Sequence, residues 1–176
     1  MRHTLLIPAA LLIGTCGAAA ADGVPEKADP AQIPNYTRVS PQLAASGQPS
    51  AEALPKLGAL GFKTVINLRM PGEDGPKDEK SVVEAQGLRY VHVPVTGATL
   101  SLADVAAVEK VLGDPASGPV LLHCAGSNRV GAVLAAIEAR KGKPLDEALA
   151  MGRSHGLRSP ALEDTVRTLV APKAQQ

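Results

Sequence analysis

The sequence predicts an α/β domain: a central, mostly parallel sheet of about four to five strands flanked by helices. Three observations carry that expectation. Short apolar, β-branched runs recur along the chain, amphipathic stretches separate them, and glycine or proline marks nearly every junction. Strands that alternate with helices need crossover connections, which parallel pairing provides. The 176 residues suit one domain, and the 45% hydrophobic content supplies a core of Val, Leu, Ile and Ala, since the only aromatic rings are Tyr36, Phe62 and Tyr90.

The elements follow in order. Residues 1–21 have the layout of an export signal peptide: Arg2 and His3, an apolar run from Leu5 to Ile13, then small residues from Ala18 to Ala21. The run is shorter than the roughly 20 residues of a membrane span. The protein is therefore expected to be exported, periplasmic or secreted, with no stable membrane span. Thr15 fits poorly before a lipoprotein cysteine, so anchoring at Cys16 is not expected. Residues 22–34, with Pro25, Pro30 and Pro34 and no apolar period, read as a flexible leader before a domain over 35–172.

Within that domain a strand is expected near Tyr36–Val39 and a turn through Ser46-Gly47-Gln48-Pro49. Ser50 caps a helix over about 51–60, which Pro55 distorts. Lys63–Leu68 is a buried strand, Arg69–Pro76 a charged loop, about 77–86 a helix, and Leu88–Val93 the next strand. Ser101 and Asp104 form a capping box for a helix that Gly113 ends. Pro119–His123 is a strand and Val130–Arg140 a helix. Two more helices open after Pro144 and at Ser159-Pro160.

With 18 basic and 17 acidic residues scattered along the chain and few rings to stack on bases, a nucleic-acid partner is not expected. After cleavage near Ala20 or Ala21 a single thiol remains, Cys124, an exposed liability in an oxidising compartment unless it is inert or used. Its surroundings favour use. Val120-Leu121-Leu122-His123 runs through a small-residue loop into a helix, and a helix start offers unpaired N–H groups and the positive end of its dipole. Ala125, Gly126 and Ser127 are small enough for the backbone to curl around an oxyanion, and the Arg129 guanidinium can close the cradle. The same donors favour the thiolate of Cys124. Most of any rate enhancement must still come from the donors, since one well-placed group is worth about a hundredfold.

His-Cys, a small-residue loop, Arg, and a Gly two residues later resemble the signature of cysteine-based tyrosine and dual-specificity phosphatases. With Ser46-Gly47-Gln48-Pro49-Ser50 and Gly61-Phe62-Lys63-Thr64-Val65-Ile66-Asn67-Leu68-Arg69, the pattern resembles the beta-lactamase-hydrolase-like phosphatase domain, a relative of the atypical dual-specificity phosphatases, over about residues 35–170. The resemblance implies a hydrolase of phosphate esters, acting on a small phosphorylated substrate or a phosphoprotein, without cofactor or metal. Cys124 would be the nucleophile that becomes a phosphocysteine, Arg129 would bind the phosphate oxygens, and the amides of residues 125–129 would cradle them. His123 would hold the loop, with Ser127 and Asn128 bracing it.

Three departures qualify the resemblance. Four residues separate Cys124 from Arg129 where those phosphatases have five, Val130 stands where they carry Ser or Thr, and Pro94–Thr99 holds no general acid. Glu73, Asp74 and Asp78 are substitute acids on the same sheet edge. Asp104 reads as a cap, Asp146 and Glu147 as first-turn helix acids, and Arg69 as a support for the cradle; His155 reaches the site only if the fold carries it there. The four-residue spacing is also similar to that of rhodanese-type sulfurtransferases, in which Cys124 would carry a persulfide. A noncatalytic oxyanion-binding module is the third reading. His3, His92, His123 and His155 have no spacing that makes a zinc site. The oligomeric state is not legible.

Overall fold

The computed structural model describes residues 23–171, so the expected export signal and Cys16 lie outside the described residues. The strands are β1 (Thr37–Ser40), β2 (Leu43–Ser46), β3 (Thr64–Asn67), β4 (Arg89–His92) and β5 (Val120–His123). The helices are α1 (Glu79–Glu84), α2 (Leu102–Leu112), α3 (Asn128–Arg140), α4 (Leu145–Ser154) and α5 (Pro160–Val170). The sheet order is β1-β2-β5-β3-β4; β1 pairs antiparallel with β2 and every other pair is parallel. The five-strand, mostly parallel sheet is the architecture expected from the sequence.

Register decides where the chemistry can sit. Ser46 and Asn67 both pair with His123, and Asn67 also pairs with His92, so the carboxyl ends of β2, β5, β3 and β4 form one row. The loop after β5 leaves the middle of that row, the edge where open α/β sheets bind ligands. Side chains on β5 alternate between faces. Leu122 and Cys124 enter a core with α2, α3 and α5, whereas Leu121 packs with Leu54, Phe62 and Val83 on the other side. α3 is buried from Val130 to Ile137 because α4 lies tightly against it. A side chain at Gly131 would strike the Gly152 carbonyl, so only glycine allows that approach.

Several local expectations change. β2 was not foreseen: Leu43-Ala44-Ala45-Ser46 has little β-branched content, and its extended form comes from pairing on both sides with β1 and β5. The helix expected over 51–60 shrinks to a 3-10 turn at Leu54–Lys56, with Pro55 in its first turn, and α1 is shorter than the 77–86 expected. Residues 23–34 are not a loose leader. Val24 and Ile33 are 4% and 1% exposed, and the Val24 amide donates to the Pro41 carbonyl at 2.8 Å. These two apolar residues anchor the segment, and a turn in which Ile33 N donates to Asp29 O at 2.8 Å folds it back. The capping box on α2 and the Ser159 cap on α5 form as expected. Among the described residues no helix is long and apolar enough to cross a membrane.

Candidate active site

Residues 124–129 leave the buried end of β5 and bend into α3. Ser127, at φ 69°, makes the bend as the residue before the helix. Neighbouring segments hold the loop's carbonyls: Ala125 O accepts from Gln48 N at 3.1 Å, and Gly126 O accepts from Arg158 Nη2 at 2.6 Å and from Asn35 Nδ2 at 3.5 Å. At the end of the loop the first amides of α3, those of Asn128 and Arg129, have no intrahelical acceptor and are available to an anion. Within this arc opens a pocket of about 440 Å³ lined by Cys124, Ala125, Gly126, Asn128, Arg129 and Glu73, with Thr96, Gly97 and Leu162 as its further wall. Cys124 is the free thiol at its floor, 1% exposed.

Ser127 and Asn128 do brace the loop. Ser127 Oγ donates to His155 O at 2.9 Å, and Asn128 Oδ1 accepts from the amides of Arg158 and Ser159 at 2.8 and 3.2 Å. Gly156, at φ +107°, lies so close to Ser127 that a Cβ there would stand 2.6 Å from the serine Cβ. The α4–α5 connection is thus stitched to the loop.

The Arg129 fork meets a carboxylate. Nη1 and Nη2 donate to Glu73 Oε1 and Oε2 at 2.5 and 2.7 Å, and Nη1 also donates to Val95 O at 2.9 Å. This fastens the tip of the guanidinium and leaves its Nε–Nη2 edge for another anion. Glu73 is held down to about 2, first by its hydrogen bonds to Arg129. In turn Arg129 is raised above its ordinary value, by Glu73 first and, after burial opposes the shift, by the charge of Cys124 close to it. Arg69 backs the arrangement: it is buried, its Nε lies 3.5 Å from Glu73, and its Nη1 donates to Gln48 Oε1 at 2.5 Å.

Beneath the loop, on the sheet face opposite Cys124, lies a buried polar cluster that sequence reasoning missed. His123 is fully buried, and its Nε2 stands 2.7 Å from Glu79 Oε1 on α1, a close contact off the ring N–H axis. Glu79 Oε2 accepts from Gln48 Nε2 at 3.1 Å and Asn67 Nδ2 at 3.2 Å. Burial pushes the Glu79 carboxyl up, but His123, Gln48 and Arg69 outweigh it and hold it below the usual range. The cluster ties α1, the ends of β3 and β5, and the Gln48 turn into one support.

Of the three substitute acids, Glu73 lines the pocket, ionised on Arg129, whereas Asp74 and Asp78 are exposed. Asp104 Oδ2 accepts from the amide and hydroxyl of Ser101, Asp146 pairs with Arg167 at the surface, and Glu147 is exposed. His155 lies outside the pocket lining; its Nδ1 bonds Thr37 Oγ1 at 2.9 Å. No sequence signal separates Arg158 or Glu79 from surface charges. Gln48 stood in a quoted motif but without a role. Among the described residues no group of three or more His, Cys, Asp or Glu side chains is placed to hold a metal ion.

Comparison with known proteins agrees with this picture. The beta-lactamase hydrolase-like protein of Agrobacterium fabrum is 36% identical over 124 residues, which cover 68% of this chain and 28% of that one. The chain thus spans little more than a quarter of that relative's length. The crystal structure of TpbA from P. aeruginosa superposes with a TM-score of 0.62 at 25% identity, covering 87% of this chain and 90% of its own. That of Tk-PTP in its active form gives 0.62 at 22% identity, covering 78% and 97%. Residues 35–142 match the family described as beta-lactamase hydrolase-like protein, phosphatase-like domain, and the chain belongs to that family.

Proposed function

We propose that the protein is a cysteine-dependent phosphatase that cleaves a phosphate monoester through a phosphocysteine. The observation that carries this reading is one pocket lined together by Cys124, the small residues of its loop and Arg129, whose guanidinium lies close to the thiol. The Cys124 thiolate attacks phosphorus, an S–P bond forms, and the P–O ester bond breaks with its electron pair on the leaving oxygen. Water then attacks phosphorus, the S–P bond breaks, and the thiolate returns as phosphate and a proton are released. The loop amides and the free edge of Arg129 hold the charge that develops on the transferred phosphoryl group. Glu73 presents that edge. It is ionised at neutral pH, so while it stays on Arg129 it positions the arginine rather than donating a proton. The export signal read in residues 1–21 puts this activity outside the cytoplasm.

The test is an aryl phosphate, whose leaving oxygen needs little help from an acid. Cys124→Ser is expected to abolish phosphate release while keeping affinity for inorganic phosphate. Arg129→Ala is expected to lower the rate by about a hundredfold or more. Wild-type protein that releases no phosphate but forms thiocyanate from thiosulfate and cyanide would instead establish the sulfurtransferase reading.

A further inference from the structure

Every arginine of the described residues except Arg158 stands in an ion pair with an aspartate or a glutamate. Arg158 has no carboxylate partner and is exposed, yet it is not a loose surface side chain. Its amide is fixed by Asn128 Oδ1 at 2.8 Å and its Nη2 by Gly126 O at 2.6 Å. Both partners line the pocket around Cys124. A Cβ built on Gly126 would lie 3.8 Å from that same Nη2, so the guanidinium sits against the rim of the pocket. One N–H of the fork serves the loop carbonyl; the charge and the remaining donors are not neutralised.

A second observation concerns what else the pocket offers. The chain has three aromatic rings, and none lines it. Phe62 is buried on the opposite sheet face, Tyr36 donates its hydroxyl to Pro25 O, and the Tyr90 hydroxyl accepts from Asn67. Beyond the phosphate itself, a substrate meets Thr96, Gly97 and Leu162 but no ring to stack on. Charge is therefore the discriminating contact left at the rim.

We propose that Arg158 binds a second anionic group of the substrate, so that the site selects small phosphate compounds carrying another phosphate or a carboxylate near the reacting phosphorus. This rests on the phosphate reading of the loop. A guanidinium held by its Nη2 bond to Gly126 O, on a backbone fixed by Asn128, loses little freedom on taking up an anion, and its exposure makes the attraction sensitive to salt.

Calorimetric titration of the Cys124→Ser protein with inorganic phosphate and with inorganic pyrophosphate tests it without turnover. Pyrophosphate is expected to bind more tightly, and adding Arg158→Gln is expected to shrink that preference about tenfold, the scale of a hydrogen bond to a charged group. Because Arg158 also holds the loop, a second measurement keeps the test decisive if Arg158→Gln folds poorly. In Cys124→Ser alone the preference should fall as ionic strength is raised from about 0.05 to about 0.5 M. A preference that survives Arg158→Gln, or that stays constant with salt, overturns the assignment of Arg158. Failure of Cys124→Ser to bind either anion overturns the phosphate reading beneath it.

Discussion

At the residue scale, the pairing of Arg129 with Glu73 explains how an arginine can be both anchored and available. A guanidinium has five N–H groups; Glu73 and Val95 O occupy those at its tip and along Nη1, which leaves donors of the Nε–Nη2 edge uncommitted in a group close to the thiol. Misplacing such a group by about 1 Å can cost about a hundredfold. Glu73→Gln is therefore expected to lower kcat/KM for an aryl phosphate by about ten- to a hundredfold, read by steady-state kinetics. An unchanged value would mean that Arg129 is positioned without Glu73. Cys124, Arg129 and the small residues between them were legible in the sequence because they are contiguous. Glu73 was legible only as one of three acids in a loop, since nothing local tells which of them turns inward.

At the scale of elements, the site depends on α1 and β5 being locked together from below. Glu79 opens a short helix and looks in sequence like an ordinary first-turn acid, yet it is 6% exposed and meets His123, Asn67 and Gln48. Removing one partner of such a buried pair leaves the other charge or donor unsatisfied. Glu79→Ala is expected to destabilise the protein by about 3 to 5 kcal/mol, measurable by urea unfolding. A loss below about 1 kcal/mol would show that water can replace the carboxylate. The same scale holds the misread elements. β2 is extended because two strands pair with it, and the 51–60 segment contributes Ala53, Leu54 and Leu57 to the core through a 3-10 turn rather than a helix. Long-range pairing and burial override weak local preference in both.

For the whole molecule, the two carboxylates that organise the site also set its response to acid. Glu73 is held down to about 2 in the folded protein against an ordinary carboxyl value of about 4.5, and Glu79 is shifted in the same direction. The unfolded chain binds protons first, so the stabilisation is complete above about pH 4.5 and drains away as pH falls toward 2. The urea midpoint is expected to drop over that interval, and to drop less in Glu73→Gln. An equal drop in both proteins would place the acid sensitivity elsewhere. Glu73 is partly open to water, which screens the effect.

By itself the sequence determined the alternation of strands and helices, the position of the thiol at a strand end, and the small-residue turn into α3. Each is a local matter of apolar period, glycine and helix-start chemistry, written within a few residues. Only the tertiary structure decided which carboxylate meets Arg129, which arginine is left without one, and what lies under His123. Those partners are 56, 32 and 44 residues away in the chain. They meet because the order of strands in the sheet brings their loops to one edge, and strand order is a property of long-range pairing that no local pattern encodes.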